Sequence, residues 1–210
     1  MKITKYEHAC LVVEQDGHRL VVDPGEFSQS LPELTNVVGI IITHVHFDHL
    51  DEKRIQAIVT NNPGVKIFSV AQVKEKLEAA TVCHPGDEIK LEPFTLKFYG
   101  EMHATIHPDY PMFENIGVSI NDTLFYGGDS LDHPDVPACS VLAVPTSGPW
   151  SKTSDQMDYM VNRKPKIAIA VHDFLSSEAG NDSQDRWLGI HAQKYGIDYK
   201  HLAIGESLEV

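Results

Sequence analysis

Short apolar runs separated by turn residues dominate the first half of the chain. Residues 2–6 (KITKY), 10–15 (CLVVEQ) and 18–22 (HRLVV) read as strands, the last two joined at Asp16-Gly17 and the third halted by Asp23-Pro24-Gly25. Residues 37–42, VVGIII, are apolar almost throughout, which predicts a strand buried on both faces. The period then changes: Leu50, Ile55, Ile58 and Val59 fall at helical spacing, so a helix is expected over 51–59. Residues 66–70 return as a strand and 73–80 as a short charged helix. Residues 89–100 alternate through Phe94, Leu96 and Phe98 as two strands joined at Pro93.

The second half repeats the style. A polar, proline-marked loop at 102–115 precedes strands at 116–120, 123–126 and 141–144. A helix follows over 154–161, a buried strand over 167–171, and a helix over 176–195 with a break expected near Gly180 or Gly189. Nothing resembles a linker or an internal repeat, so residues 1–210 are read as one domain. Two strand-rich halves, each closing in strand-helix units, predict an α/β chain of two sheets packed face to face with helices outside.

Composition narrows the function classes. At 42% hydrophobic and 22% charged residues the chain is an ordinary globular sequence. Seventeen Lys+Arg against thirty Asp+Glu give a net charge of −13, which disfavours nucleic acid and anionic lipid as partners. Cys10, Cys83 and Cys139 are far apart and form no CxxC, so a reducing, cytoplasmic setting is expected. Lys2, Lys5, Glu7 and His8 interrupt the region where a signal peptide would be apolar, and 37–42 is too short to span a bilayer. No membrane partner is expected.

The twelve histidines are the unusual feature. Thr43-His44-Val45-His46-Phe47-Asp48-His49 lies between the buried strand and the helix, so four potential ligands crowd one sheet edge. In extended backbone His44 and His46 point the same way, while Asp48 and His49 address a point further on; one loop can thus serve two ions. Imidazoles and carboxylates suit zinc, but one short loop cannot fill two coordination shells. His103, Asp129 and His172, each just after an apolar strand, are the candidates for the rest.

These residues, with Asp23 in VVDPG, resemble the metallo-β-lactamase fold hydrolases, in the family's order and over most of the chain. GEMHATIHPDYP, NIGVSI, YGGDS, TSGPW and VHDFL are similar to the branch of small bacterial metal-dependent hydrolases that includes the ascorbate-phosphate lactonases. The resemblance implies a four-layer αββα sandwich of two mixed sheets. It implies that His44, His46 and His103 hold one metal, that Asp48, His49 and His172 hold a second, that Asp129 bridges them, and that Asp23 braces the histidine loop. Zinc is the expected ion, with manganese and iron as alternatives. Zinc β-lactamases generally carry another residue at the position of Asp129, and flavin-associated diiron relatives carry Glu at that of His46. Neither activity is expected here.

The chemistry that follows is hydrolysis by metal-activated water of an ester, lactone, thioester or phosphodiester in a small molecule, anionic ones included, with Asp48 holding or accepting the nucleophile's proton. His8, His107 and Trp150 are candidates to line the pocket or brace a ligand, whereas His18, His84, His133, His191 and His201 read as surface or capping residues. Two alternatives stand beside this one. A nuclease of the same fold is disfavoured because Lys152, Arg163, Lys164 and Lys166 are the only basic residues between Asp129 and His172. A metal-bound sensor without catalysis would use the same ligands, since function lives in the site rather than the fold.

Overall fold

The structure, a computed structural model, describes residues 1–210. Its strands form two mixed sheets of seven. The first contains β1 (Lys2–Lys5), β2 (Leu11–Gln15), β3 (His18–Val22), β4 (Val37–Ile41), β5 (Lys66–Ser69), β6 (Ala80–Val82) and β14 (Ser207–Glu209), in the order β14-β1-β2-β3-β4-β5-β6. The second contains β7 (Glu88–Leu91), β8 (Phe94–Tyr99), β9 (Gly117–Ile120), β10 (Leu124–Tyr126), β11 (Val141–Pro145), β12 (Ile167–Val171) and β13 (Asp198–Lys200), in the order β13-β12-β11-β10-β9-β8-β7. The helices are α1 (Glu52–Asn61), α2 (Ala71–Lys74), α3 (Thr153–Arg163) and α4 (Glu178–Lys194).

Side-chain alternation explains why the central strands are apolar on both faces. Leu124 and Tyr126 of β10 and Val141 and Ala143 of β11 enter the core between the sheets, where they join Ile3, Leu20, Ile40, Leu96 and Phe98. Their neighbours Phe125, Leu142 and Val144 point the other way, onto Tyr159 and Met160 of α3 and Leu188 and Ala192 of α4. A period of two with both faces covered produces this pattern. On the far side of the first sheet, Ile55 and Ile58 of α1 and Val73 of α2 pack on the same core. The layers are therefore helix, sheet, sheet, helix, as expected.

Strand direction places the chemistry. In the first sheet β1 and β2, and β2 and β3, pair antiparallel, whereas β3 and β4 pair parallel; β1, β3 and β4 therefore run the same way. The segments leaving their C-terminal ends carry His8, Asp23 and residues 44–49 to one edge. In the second sheet β8, β10 and β12 likewise share a direction, which delivers His103, Asp129 and His172 to one edge. The two edges are stitched together by Ile116 N–H donating to the Thr43 carbonyl (2.9 Å) and His172 N–H donating to the His8 carbonyl (2.8 Å).

Four local expectations change. Helix α2 ends at Lys74, because the chain must turn back for β6 to pair with β5. Strands β6, β13 and β14, each of three residues and partly exposed, carry too little pattern to be read in advance. Helix α4 is unbroken: Gly180 lies in its first turn, where its N–H meets the Ser177 cap, and Gly189 faces Tyr199. His133 is buried rather than superficial, its ring seated against Gly100, Gly117 and Gly127. No helix is long and apolar enough to cross a membrane.

Candidate metal centre

Thr43 stands two residues beyond the end of the buried strand β4, and the polar network of the site starts there. Asp23, fully buried in a left-handed conformation (φ 46°), accepts from Thr43 N–H through Oδ1 (2.7 Å). Its Oδ2 accepts from Thr43 Oγ1 (2.7 Å), His49 Nδ1 (2.7 Å) and Tyr126 Oη (2.8 Å). A buried carboxylate requires such partners, since an unpaired one costs several kcal/mol. Gly25 allows the turn to close on the histidine loop: a Cβ there would stand 1.9 Å from the Asp48 carbonyl oxygen.

This network fixes which ring nitrogens are bare. Thr43 Oγ1 gives its proton to Asp23, so it must accept from His44 Nδ1 (3.0 Å), leaving His44 Nε2 unprotonated. His49 donates Nδ1–H to Asp23 and His103 donates Nδ1–H to the Ala104 carbonyl (2.6 Å), so in the neutral ring of each it is Nε2 that carries the lone pair. A ring N–H anchored on an oxygen while the other nitrogen faces a common point is the arrangement of metal-ligating histidines.

The potential ligands converge in two groups, His44, His46, His103 and Asp129, and His8, Asp48, His49 and His172; within each, the candidate atoms lie within 4.8 Å of one another. Asp129 also reaches the second group. Its Oδ1 is 3.2 Å from His49 Nε2, and its Oδ2 is 3.1 Å from His172 Nε2 and 3.3 Å from His103 Nε2. Gly128 (φ 63°) makes this reach possible, because a Cβ there would meet Asn115 Oδ1 at 2.3 Å. Asn115 in turn accepts the Asp129 N–H (3.0 Å) and donates to the Gly127 carbonyl (2.9 Å).

The fit to cations can be tested on unmet polar atoms. His49 Nε2, His103 Nε2, His172 Nε2 and Asp129 Oδ1 are buried with no hydrogen-bond partner. Leaving such atoms unmet costs about 1–3 kcal/mol each, and more for charged groups. His44 Nε2 and His46 Nδ1 face one another at 3.1 Å. Nitrogen and carboxylate donors in two groups that share one carboxylate fit two divalent ions.

Protonation of the metal-free protein points the same way. Burial opposes charge on His172, but Asp129 and Asp48 outweigh it and push its pKa up to about 9. Burial likewise opposes charge on His49, yet Asp129 and Asp23 hold its pKa well above the ordinary value. Burial and the facing His49 keep His44 well below it. Burial disfavours charge on Asp129, but His172 and His49 hold it well below the usual carboxylate range. Without metal, protons on His172 and His49 neutralise the carboxylates.

Of the remaining candidates, Trp150 reaches the site: its Nε1 donates to Asp129 Oδ2 (3.0 Å), and its ring lies 5.8 Å from His103 and 6.0 Å from His172. His8 is fully buried, 3.9 Å from the His172 ring. His107 stays in its own exposed loop, accepting from Asp109 N–H (3.2 Å), and is not brought to either group. The sequence reading missed a brace behind His172. Asp173 pairs with Lys5 (2.8 Å) and with His201 Nε2 (2.6 Å), and His201 Nδ1 meets Asp185 (2.5 Å). Only the carboxylate adjoining a candidate ligand could have signalled it.

The mouth is aromatic. Phe27 lies 4.8 Å from Phe174 in a tilted pair and 5.5 Å from Phe47 edge to face, and the latter two are about half exposed. On the other side, Trp150 and His103 line a cleft of about 630 Å³ whose charged residues are Glu101, Asp132 and Asp155, with no lysine or arginine.

Comparison with known proteins agrees with this geometry. Residues 2–172 match the β-lactamase superfamily domain. Protein Rv0786c of Mycobacterium tuberculosis is 35% identical over 178 residues, covering 82% of this chain and 84% of its own. A UPF0173 metal-dependent hydrolase of Carboxydothermus hydrogenoformans is 24% identical over 194 residues, covering 82% of this chain and 84% of its own. Among solved structures, a chain from Parabacteroides distasonis named for metal-dependent hydrolysis superposes with a TM-score of 0.78 at 23% identity, over 95% of this chain and 91% of that one, a likeness of fold. The chain therefore belongs to the β-lactamase superfamily, in its branch of small metal-dependent hydrolases.

Proposed function

We propose that the protein hydrolyses an ester, lactone, thioester or phosphodiester bond in a cytoplasmic small molecule, using two divalent ions held by His44, His46 and His103 and by Asp48, His49 and His172, with Asp129 between them. The observation that carries this reading is the set of buried, unmet nitrogen and oxygen atoms that share Asp129. Bound there, two ions lower the pKa of water towards ~7 and polarise the oxygen of the attacked group. Zinc suits these donors, as do manganese and iron.

The chain's own residues position the reaction. Asp129, held by Asn115 and Trp150, stands where its carboxylate faces histidines of both groups. Asp48 is an acceptor: burial opposes its charge, but His172, 3.6 Å away, and the hydrogen bond from His8 outweigh this and hold its pKa well below the usual carboxylate range. It therefore orients a water proton rather than storing one at rest. Phe27, Phe47 and Phe174 supply an apolar wall at the mouth. Acidic residues line the cleft beside Trp150, so the side chains there offer no cation to an anionic group on the substrate. The same charges support a small molecule over nucleic acid. Three buried cysteines without partners support a reducing compartment.

The test is a panel of the four bond classes assayed with zinc or manganese. Turnover of at least one class that His46→Ala abolishes is expected. No turnover in any class, with a metabolite retained unchanged by the native protein in mass spectrometry, favours a sensor instead.

A further inference from the structure

His8 stands among the potential ligands of the second group, but its hydrogen bonds differ in kind from those of its neighbours. His44, His49 and His103 each donate Nδ1–H to an oxygen, so that in the neutral ring Nε2 carries the lone pair. At His8 the backbone N–H of Phe174 donates to Nδ1 (3.3 Å). A backbone N–H can only donate, so Nδ1 carries the lone pair and the neutral ring's proton sits on Nε2, 3.1 Å from Asp48 Oδ2. Binding a metal through that Nε2 would require an imidazolate or the loss of the Phe174 bond.

The backbone supports the same assignment. His8 and His172 both adopt left-handed conformations (φ 61° and 60°), uncommon for residues with a side chain and concentrated where a site enforces them. The His8 carbonyl accepts the His172 N–H (2.8 Å). One residue thus ties down the loop bearing His172 at two points and presents an N–H to the loop bearing Asp48.

We infer that His8 is a positioning residue and not a ligand: its Nε2–H fixes Asp48, while its carbonyl and Nδ1 fix the segment from His172 to Phe174. The inference rests on the metal-centre reading for its effect on binding, but the ring proton is placed by hydrogen bonds of the chain itself.

The test combines nitrogen NMR of histidine-labelled wild-type protein, before and after zinc, with metal titration and kinetics of His8→Gln and His8→Ala. Gln retains an N–H donor at the reach of Nε2. The His8 Nε2–H signature is expected in the metal-free protein and again with zinc bound. Both variants should still take up two zinc ions, His8→Ala with 10–100-fold weaker affinity or lower kcat. His8→Gln should recover most of that loss, which a merely structural role would not give. Loss of the Nε2 proton on adding zinc, or one zinc fewer in His8→Gln, overturns the inference and makes His8 a ligand. A folded His8→Gln as impaired as His8→Ala overturns the donor role, and if His8→Ala does not fold, comparison of His8→Gln with wild type decides. Failure of wild-type protein to bind zinc overturns the metal-centre reading instead, and is seen before any variant is made.

Discussion

The indole Nε1 of Trp150 donates to Oδ2 of Asp129 over 3.0 Å, so the carboxylate between the two ligand groups is aimed by a residue on the loop after β11. Trp150→Phe keeps the ring and removes the donor. Hydrogen bonds to charged groups contribute about 1.5–3 kcal/mol, so kcat/KM should fall about 10–100-fold while the unfolding midpoint changes little. Steady-state kinetics beside a denaturant titration check this.

Asp23 accepts four hydrogen bonds in a fully buried position. Asp23→Asn turns an –NH₂ towards donors and leaves His49 without its anion. Breaking a buried pair from one side costs about 3–5 kcal/mol, so unfolding in the presence of a chelator should shift by that order. The variant should also bind metal more weakly, because His49 loses its orientation.

Metal uptake should release protons. His172, with its pKa pushed up to about 9, and His49, also raised, are protonated in the metal-free protein at neutral pH and must be bare to ligate. Calorimetric titration of zinc at pH 7 in two buffers of different ionisation enthalpy should report about two protons released per chain. The number should fall as pH rises through about 9. A release of zero would contradict the assignment of these two ligands.

The brace behind His172 predicts a pH-dependent stability. Hydrogen bonds to Asp173 and Asp185 push the pKa of His201 up to about 9. A raised folded pKa gives stability that is fully present below the unfolded value of about 6.5 and is lost as pH rises through the folded one. His201→Phe should therefore lower the melting temperature most at pH 6, and the gap to wild type should shrink towards pH 10.

The sequence disclosed what lies in contiguous pattern. His44 to His49 is legible because four ligands stand side by side after a run that can only be a buried strand. His103, Asp129 and His172 are legible because each follows an apolar strand, and the fold converts that shared position into one edge. What stayed hidden depends on pairs remote along the chain. His201 finds Asp173 across 28 residues with no local signal beyond its residue type, and His8, itself a candidate from the sequence, has a partner, Asp48, 40 residues away that the sequence does not point to. His133 was hidden for a different reason: its burial depends on three glycines from separate strands and loops leaving room for one ring.

The measurement closest to the centre of this account is the metal content of the folded protein and of two variants, read by elemental analysis and native mass spectrometry after zinc loading and desalting. Two ions per chain are expected for the wild type. His46→Ala, which removes a ligand on one side, should retain one, and Asp129→Ala, which removes the shared carboxylate, should hold neither tightly. A wild-type chain that takes up no transition metal, or an Asp129→Ala chain that still carries two, would contradict it.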